Sequence, residues 1–357
     1  MSGGLNFHEL VLGRSDVSFR SLFEAEWVAH LSKFPEDFEK AAQLRIGSRF
    51  RPCLVAWGYL LASGSFDLQT RKEVARYAVY VELLHKATLL IDDLIDNDPA
   101  RHGKPAFHVE FDDKEAILFA IYLLGDCVAQ LTEVTKSLNS GAQNTVLALL
   151  GQAIKEMAAG GIAEGRLAPD GLTSIENVTK IIEMQTISLV KNGLLVGYHI
   201  GQGDRSSVMQ IDSLGYDAGY MFQVLNDLEP FYGSESNVAY KGRENTDFAD
   251  LRKNHLVATH LESLREDDRR SLLSKLMADT KNTRTILHPE LEKERTITKI
   301  GQNLSLVRKN INRIVEQTPT SEPCKHGFRR FVDFVLVRAL TRLDHDPRQI
   351  LSEILIR

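Results

Sequence analysis

The stretch RYAVYVELLHKATLLIDDLID places Asp92, Asp93 and Asp96 at the end of an apolar run, stopped by Asn97, Asp98 and Pro99. In a helix over residues 80–96, Asp92 and Asp96 stand four apart and share one face, one turn from each other. Like charges at that spacing repel by ~0.2–0.5 kcal/mol, and the negative end of the helix dipole opposes them as well. Either such a cluster is a solvated acidic helix end, or a cation offsets its cost. Hard oxygen ligands on one helical face suit Mg²⁺, which takes one or two carboxylates and completes its octahedron with water and phosphate oxygens.

A second set of oxygen donors, Gln223, Asn226, Asp227 and Glu229, closes an apolar-periodic segment over 207–229, with Pro230 as its stop. Gln223 and Asp227 lie one turn apart, with Asn226 flanking. Two buried helices that both end in oxygen ligands would face each other across a cavity and clamp a metal-bound diphosphate between them. His85 sits seven residues before Asp92 on the same face, either as a hydrogen-bonded core histidine or as a ligand contact.

The elements that must position these residues are helices. Apolar residues recur at helical spacing in EAILFAIYLLGDCVAQLTEVTKSL, NTVLALLGQAIKEMAAG, ENVTKIIEMQTISLVKNGLLVGYHIG and SSVMQIDSLGYDAGYMFQVLNDLE, and alternating strand patterns are scarce. Gly, Pro, Asn and Ser gather at 97–106, 165–173, 201–205 and 230–246, where the helices must break. No break resembles an interdomain linker and no repeat has a fixed period, so one bundle of more than eight helices over 1–357 is expected. The chain has 357 residues, 43% hydrophobic and 25% charged, with a formal net charge of −5. Its cations are scattered, which argues against nucleic acid and against an electrostatic membrane anchor. Cys53, Cys127 and Cys324 are too few for a disulfide framework and read as reduced, cytoplasmic residues. No signal peptide is evident, and no window approaches the ~18 uncharged apolar residues of a bilayer span.

The order and spacing of these segments resemble the trans-isoprenyl diphosphate synthases, the polyprenyl synthetase family, over about residues 40–260. LLHKATLLIDDLIDNDPARHGKPAFH resembles the first aspartate-rich motif, DDxxD, and the R-R-G-x-P stretch after it, with Arg101 as the first arginine. Gly125 and Asp126 resemble the family's Gly-Asp pair, and GYMFQVLNDLEPF the second motif, with Phe222 and Gln223 aligned. IGSRFRP resembles G-K-x-x-R-P, with Gly47, Arg51 and Pro52 in place. The resemblance implies an all-α isoprenoid synthase bundle around a central apolar cavity, with the C-terminal helices over 261–357, and a homodimer. It also implies Mg²⁺, three ions per site and replaceable by Mn²⁺, bridging the two motifs and an allylic diphosphate of C10–C20. The metal acts as Lewis acid and template, the C–O bond ionises, and isopentenyl diphosphate is the acceptor.

Carried over residue by residue, Asp92, Asp96, Asn226, Asp227 and Glu229 would be metal ligands, with Asp93 beside them. Arg101, Gln185, Thr186, Gln223, Lys241 and Lys253 would surround the allylic diphosphate, with His255 as an alternative to Lys253. Ser48, Arg49, Arg51, His85 and His102 would form the acceptor site, and Ala87 and Thr88 the floor that limits chain length. Departures cluster in these motifs. Ser48 replaces the lysine of G-K-x-x-R-P, His102 the second arginine of R-R, and Gln185 the lysine of K-T. Lys191, six residues on, lies about 240° around a helix and does not stand in for it. Asn226 and Pro230 replace the first and last acids of the second motif. Two acceptor contacts have lost permanent charge, which keeps a class I terpene cyclase, a prenyl transfer to a non-diphosphate acceptor and a non-catalytic regulatory subunit as alternatives.

Overall fold

The structure, a computed structural model, describes residues 7–13, 15–34, 44, 47–167, 174–233, 253–293 and 295–355. Its helices are α1 Phe7–Leu12, α2 Phe19–Leu31, α3 Phe50–Ser63, α4 Leu68–Ile95, α5 Phe107–Glu110, α6 Asp113–Val134, α7 Ser140–Gly165, α8 Ile175–Ile182, α9 Ser188–Ile200, α10 Val208–Asn226 and α11 Glu229–Tyr232. Six more follow: α12 His255–Ser263, α13 Glu266–Ala278, α14 Thr283–Lys293, α15 Thr296–Gln317, α16 Glu322–Leu340 and α17 His345–Leu355. The fold is all-α. Its only regular strands among the described residues are β1 Ala100–Arg101 and β2 Lys104–Pro105, a hairpin inside the predicted break at 97–106.

Side-chain caps start the helices that matter for the site. Asp67 accepts from the Thr70 amide at 2.8 Å to open α4, Asn139 from Ala142 at 2.9 Å to open α7, and Asn254 from Val257 at 3.0 Å to open α12. Two predicted boundaries need correction. The first helix begins at Leu68, twelve residues before the expected start, because buried Val74, Ala75, Tyr77 and Ala78 continue its apolar face. Pro230 does not stop a helix but lies in the first turn of α11, where its fixed φ fits and its missing N–H costs nothing.

The larger of two apolar clusters runs from Val11 to Leu355. Within it α3 lies along α9, α4 along α6, and α10 against α9 and α15. Glycine decides how closely α3 and α9 approach. A Cβ on Gly197 would meet the Val55 carbonyl oxygen at 1.9 Å, and one on Gly58 the Leu194 carbonyl oxygen at 2.0 Å, so these backbones touch. By contrast α6 and α7 turn apolar surface outward. Two segments, Asp113–Ser137 and Ser140–Gly165, are long and apolar enough to cross a membrane by length and composition, with only 28% and 22% of their most apolar stretches buried. These segments meet that measure with up to two charged residues in the window, as an amphipathic helix carries them, and neither holds ~18 uncharged apolar residues in a row.

The backbone contact sets a stability prediction. Gly197→Ala forces α3 and α9 apart and should lose about 2–3 kcal/mol or more by urea denaturation. Gly151→Ala, in α7 with nothing within 4 Å of the new methyl, should instead hold or gain up to about 1 kcal/mol.

Candidate active site

Three helices end together in acids. Asp92 and Asp96 end α4, Glu164 ends α7, and Asp227 follows α10 as its C-cap. Lys253, just before α12, ties them: its Nζ lies 3.4 Å from Asp92 Oδ1 and 3.2 Å from Glu164 Oε2. Burial works against this ammonium, but Asp92, Glu164 and Asp96 outweigh it and raise its pKa above the usual lysine range. Asp227 is buried and accepts from Gln223 Nε2 at 2.6 Å and from the His255 amide at 2.7 Å. Burial nevertheless pushes its carboxyl up to about 7, against those hydrogen bonds and the charge of Lys253. A buried carboxylate in that state gains from any further cation.

Arg101, presented by the β1–β2 hairpin, is committed to the first cluster. Its Nε donates to Asp93 Oδ1 at 2.7 Å, its Nη2 contacts the same oxygen, and Nη2 lies 3.6 Å from both Asp92 and Asp98. Asp93 is buried, and burial raises its pKa against the pull of Arg101. Thr186 Oγ1 donates to Gln223 Oε1 at 2.9 Å, which extends the chain Thr186–Gln223–Asp227. Gln185 Nε2 donates to Glu164 at 2.8 Å. Both residues sit on a π-helical turn, Glu183–Ile187, between α8 and α9, so the expected helix carries a bulge at its polar pair. Gly160 of α7 makes room for that turn, since a Cβ there would meet Gln185 Cγ at 2.6 Å.

The second end of the site is basic. Arg51 Nη1 lies 2.9 Å from His85 Nε2, and the buried Arg51 Nε and His85 Nδ1 have no hydrogen-bond partner among the described residues. Burial lowers Arg51 to about 10, so it keeps its charge at neutral pH. Burial, then the charge of Arg51, holds the His85 imidazole well below its ordinary value. His102, at φ 55°, is pushed down to about 4 by burial and then by Lys86 and Arg101. Arg49 points inward: it bonds Glu24 at 2.9 Å and Glu82 at 2.8 Å and stacks near Phe23 and Trp27. Ser48 is exposed.

A polyprenyl synthetase family model matches residues 36–289, well over half the chain. The chain belongs to that family. Its members include a geranylgeranyl diphosphate synthase of Saccharolobus solfataricus, 27% identical over 64% of this chain and 67% of that one. Component 2 of a Bacillus subtilis heptaprenyl diphosphate synthase is 24% identical over 54% of this chain and 52% of its own. The matched stretch thus spans about half to two thirds of these relatives' length. Among solved structures, a polyprenyl synthetase from Streptomyces coelicolor A3(2) superposes with TM-score 0.76 at 19% identity, covering 89% of this chain and 97% of that one. A geranylgeranyl pyrophosphate synthase from Corynebacterium glutamicum, in complex with isoprenyl diphosphate and magnesium, gives 0.72 at 18% identity, covering 94% and 99%. At such identities these two establish the fold.

The structure therefore gathers Asp92, Asp96, Asp227, Gln223, Thr186, Gln185 and Lys253 at the acid end of a polyprenyl synthetase fold, and Arg51, His85 and His102 at the basic end. Glu229 and Asn226 meet a residue from the C-terminal region: Arg342 lies 2.7 Å from Glu229 and 3.3 Å from Asn226. The His255 side chain is engaged by Tyr220 at 2.6 Å and by Thr259, while its amide serves Asp227. Lys191 pairs with Asp212, as its place around the helix implied. Lys241 lies outside the described residues. Sequence reasoning missed Glu164 although it carries the same signal as Asp92, an acid at the carboxyl end of an apolar helix. Arg342 and Lys86 had no such signal.

The depressed His102 has a consequence for stability. Its imidazole titrates near 6.5 unfolded and near 4 folded, so the unfolded chain takes up the proton first. The stability it contributes is present above pH 6.5 and is lost as the pH falls toward 4. His102→Gln should flatten the fall in melting temperature over that window, measured by thermal scans from pH 7 to 4.

Proposed function

We propose that this chain ionises an allylic isoprenyl diphosphate of C10–C20 and condenses it with isopentenyl diphosphate to give a longer isoprenyl diphosphate. The observation that carries this reading is the convergence of Asp92, Glu164 and Asp227 around Lys253, beside a basic end holding Arg51 and His85. The donors fit magnesium. They are hard oxygens, and the buried Asp227 carboxylate would be stabilised by a further cation. Magnesium takes one or two carboxylates and completes its shell with water and phosphate oxygens. Asp92, Asp96 and Asp227 would hold it, with Asn226 and Glu229 beside them. Bound there, magnesium neutralises the leaving diphosphate as a Lewis acid.

The chain's own residues do the rest. Arg101 holds Asp93 and stands 3.6 Å from Asp92, and Asp92 and Asp96 would turn toward the metal side when it is bound. Lys253, with Lys241 from outside the described residues, offers charge to the phosphate oxygens. Thr186 and Gln223 keep the Asp227 carboxylate aimed. Arg51 and His85 hold the acceptor. The C–O bond breaks with its electron pair leaving on the diphosphate, the acceptor's double bond attacks the allylic carbon, and one proton is lost. The outward apolar residues Ile117, Leu118, Ile121 and Val128 of α6 and Ile162 of α7 support a homodimer. Free, buried Cys53, Cys127 and Cys324 support a cytoplasmic enzyme.

Incubation of C10, C15 and C20 allylic diphosphates with Mg²⁺, with and without isopentenyl diphosphate, tests the reading. Elongated diphosphates are expected. Hydrocarbons or alcohols would instead identify a cyclase, and no turnover a regulatory subunit. Asp92→Asn should cut diphosphate release roughly a hundredfold or more, the several kcal/mol a metal ligand carries, while the far-ultraviolet dichroism is retained.

Ala87 is fully buried and Thr88 nearly so, with Thr88 Oγ1 bonded to the His85 carbonyl at 2.8 Å. Both are small and lie one to one and a half turns before Asp92. A Phe at either place takes volume that a close-packed interior does not yield cheaply. Ala87→Phe and Thr88→Phe should shift preference toward shorter allylic diphosphates, read from turnover against C5–C20 substrates. An unchanged profile in a folded variant would remove both residues from the floor.

A further inference from the structure

Three consecutive residues give groups to the acid end. Lys253 places its ammonium between Asp92 and Glu164, the Asn254 side chain donates to the Asp227 carbonyl at 2.9 Å, and the His255 amide donates to Asp227 Oδ2 at 2.7 Å. Asn254 also caps α12 through the Val257 amide, so this turn is built into the helix start. The His255 ring is occupied elsewhere. His255 is 2% exposed, and its ring stands at 90° to that of Tyr220, with centroids 5.2 Å apart.

The hydrogen bonds around that ring assign each proton. Asn303 Nδ2, on α15, donates to the Tyr220 hydroxyl oxygen at 2.8 Å. The hydroxyl proton is then left for His255 Nε2, 2.6 Å away. Beyond the ring, Thr259 Oγ1 donates to the His255 carbonyl at 2.8 Å, which leaves its oxygen to accept from Nδ1–H at 3.2 Å. The ring is thus neutral, with its proton on Nδ1 and a lone pair on Nε2. Tyr220, Gln223 and Asp227 follow one face of α10 at helical spacing. The chain Asn303–Tyr220–His255 therefore joins Thr186–Gln223–Asp227 at the Asp227 carboxylate. Asn303 lies beyond residues 36–289, the stretch that the family model matches.

We infer that Asn303, Tyr220 and His255 form a positioning relay: by fixing the His255 ring in one tautomer, they hold the 253–255 turn against Asp227 and keep Lys253 at the acid end. Without the Tyr220 hydroxyl, a buried ring nitrogen lacks its donor, and the ring must turn or shift its proton to recover one. Either movement pulls on the amide that holds Asp227. The inference rests on the proposed ionisation of an allylic diphosphate and adds residues that act on it through Asp227 and Lys253.

The test uses the full-length protein. Histidine side chains labelled with nitrogen-15 report by magnetic resonance which ring nitrogen bears the proton, and His255→Gln identifies the His255 signals. Wild type should show the Nδ1–H tautomer at neutral pH; a proton on Nε2 overturns the inference. Asn303→Asp gives the Tyr220 hydroxyl an acceptor in place of a donor, so the His255 proton should move to Nε2. A ring that keeps Nδ1–H in a folded Asn303→Asp overturns it too. Tyr220→Phe, with folding verified by thermal scans, should lower kcat for diphosphate release roughly tenfold, the scale of one buried hydrogen bond. Calorimetric binding of inorganic diphosphate with Mg²⁺ should weaken by a similar factor. The KM of isopentenyl diphosphate should move less than about threefold, because Arg51 and His85 stand at the other end of the site. Unchanged kcat and diphosphate binding in Tyr220→Phe overturn the inference. So does a loss shared equally by the KM of isopentenyl diphosphate, which marks a general loosening of the fold. Wild type that releases no diphosphate from any allylic substrate removes the proposed function itself, while the tautomer and the binding of inorganic diphosphate still decide the relay.

Discussion

The carboxyl end of a helix carries partial negative charge, and in this protein α4, α7 and α10 bring such ends together with an acid on each. Every term is repulsive: dipole against dipole, carboxylate against dipole, and carboxylate against carboxylate. Two basic residues make the arrangement tenable. Arg101 takes up Asp93, and Lys253 stands between Asp92 and Glu164. Even so, burial pushes the Asp227 carboxyl up to about 7 against the charge of Lys253. The assembly is held together by apolar packing elsewhere and has the electrostatics of a site that receives multivalent cations.

The opposite end gathers cations. Arg49, Arg51 and Lys86 lie there, and among the described residues Glu24 and Glu82 pair with Arg49 and Lys86. Neighbouring cations repel one another, and a rigid backbone keeps them from moving apart. Contact between the α3 and α9 backbones supplies that rigidity, because α3 carries Arg51 and begins directly after Arg49.

The turn between α16 and α17 is clipped to the end of α11 by the Asp344 amide on the Tyr232 carbonyl at 2.8 Å and by a bridge between Gly233 and Leu343. That clip delivers Arg342 to Glu229 and Asn226. Where the second motif has lost acids, a cation from elsewhere in the chain now faces those that remain, and Pro230 starts the helix that carries the clip.

The sequence by itself determined the helical class, the place of Asp92 and Asp96 on one face of a helix end, and that of Gln223 and Asp227 one turn apart on another. These follow from spacing along one helix, where residues four apart are neighbours wherever the helix is placed. The glycine seam, the π-helical turn under Gln185 and Thr186, and the partners of Arg49 and Arg342 were decided only by tertiary structure. Lys86 illustrates the reason. Read in the chain, it is one cation on an apolar helix; in the fold, its Nζ lies beside Gly47 and Glu82, four residues from it in one case and thirty-nine in the other. Charge acts through space, and a lysine's long stem lets the same ammonium position be reached from more than one place in the sequence.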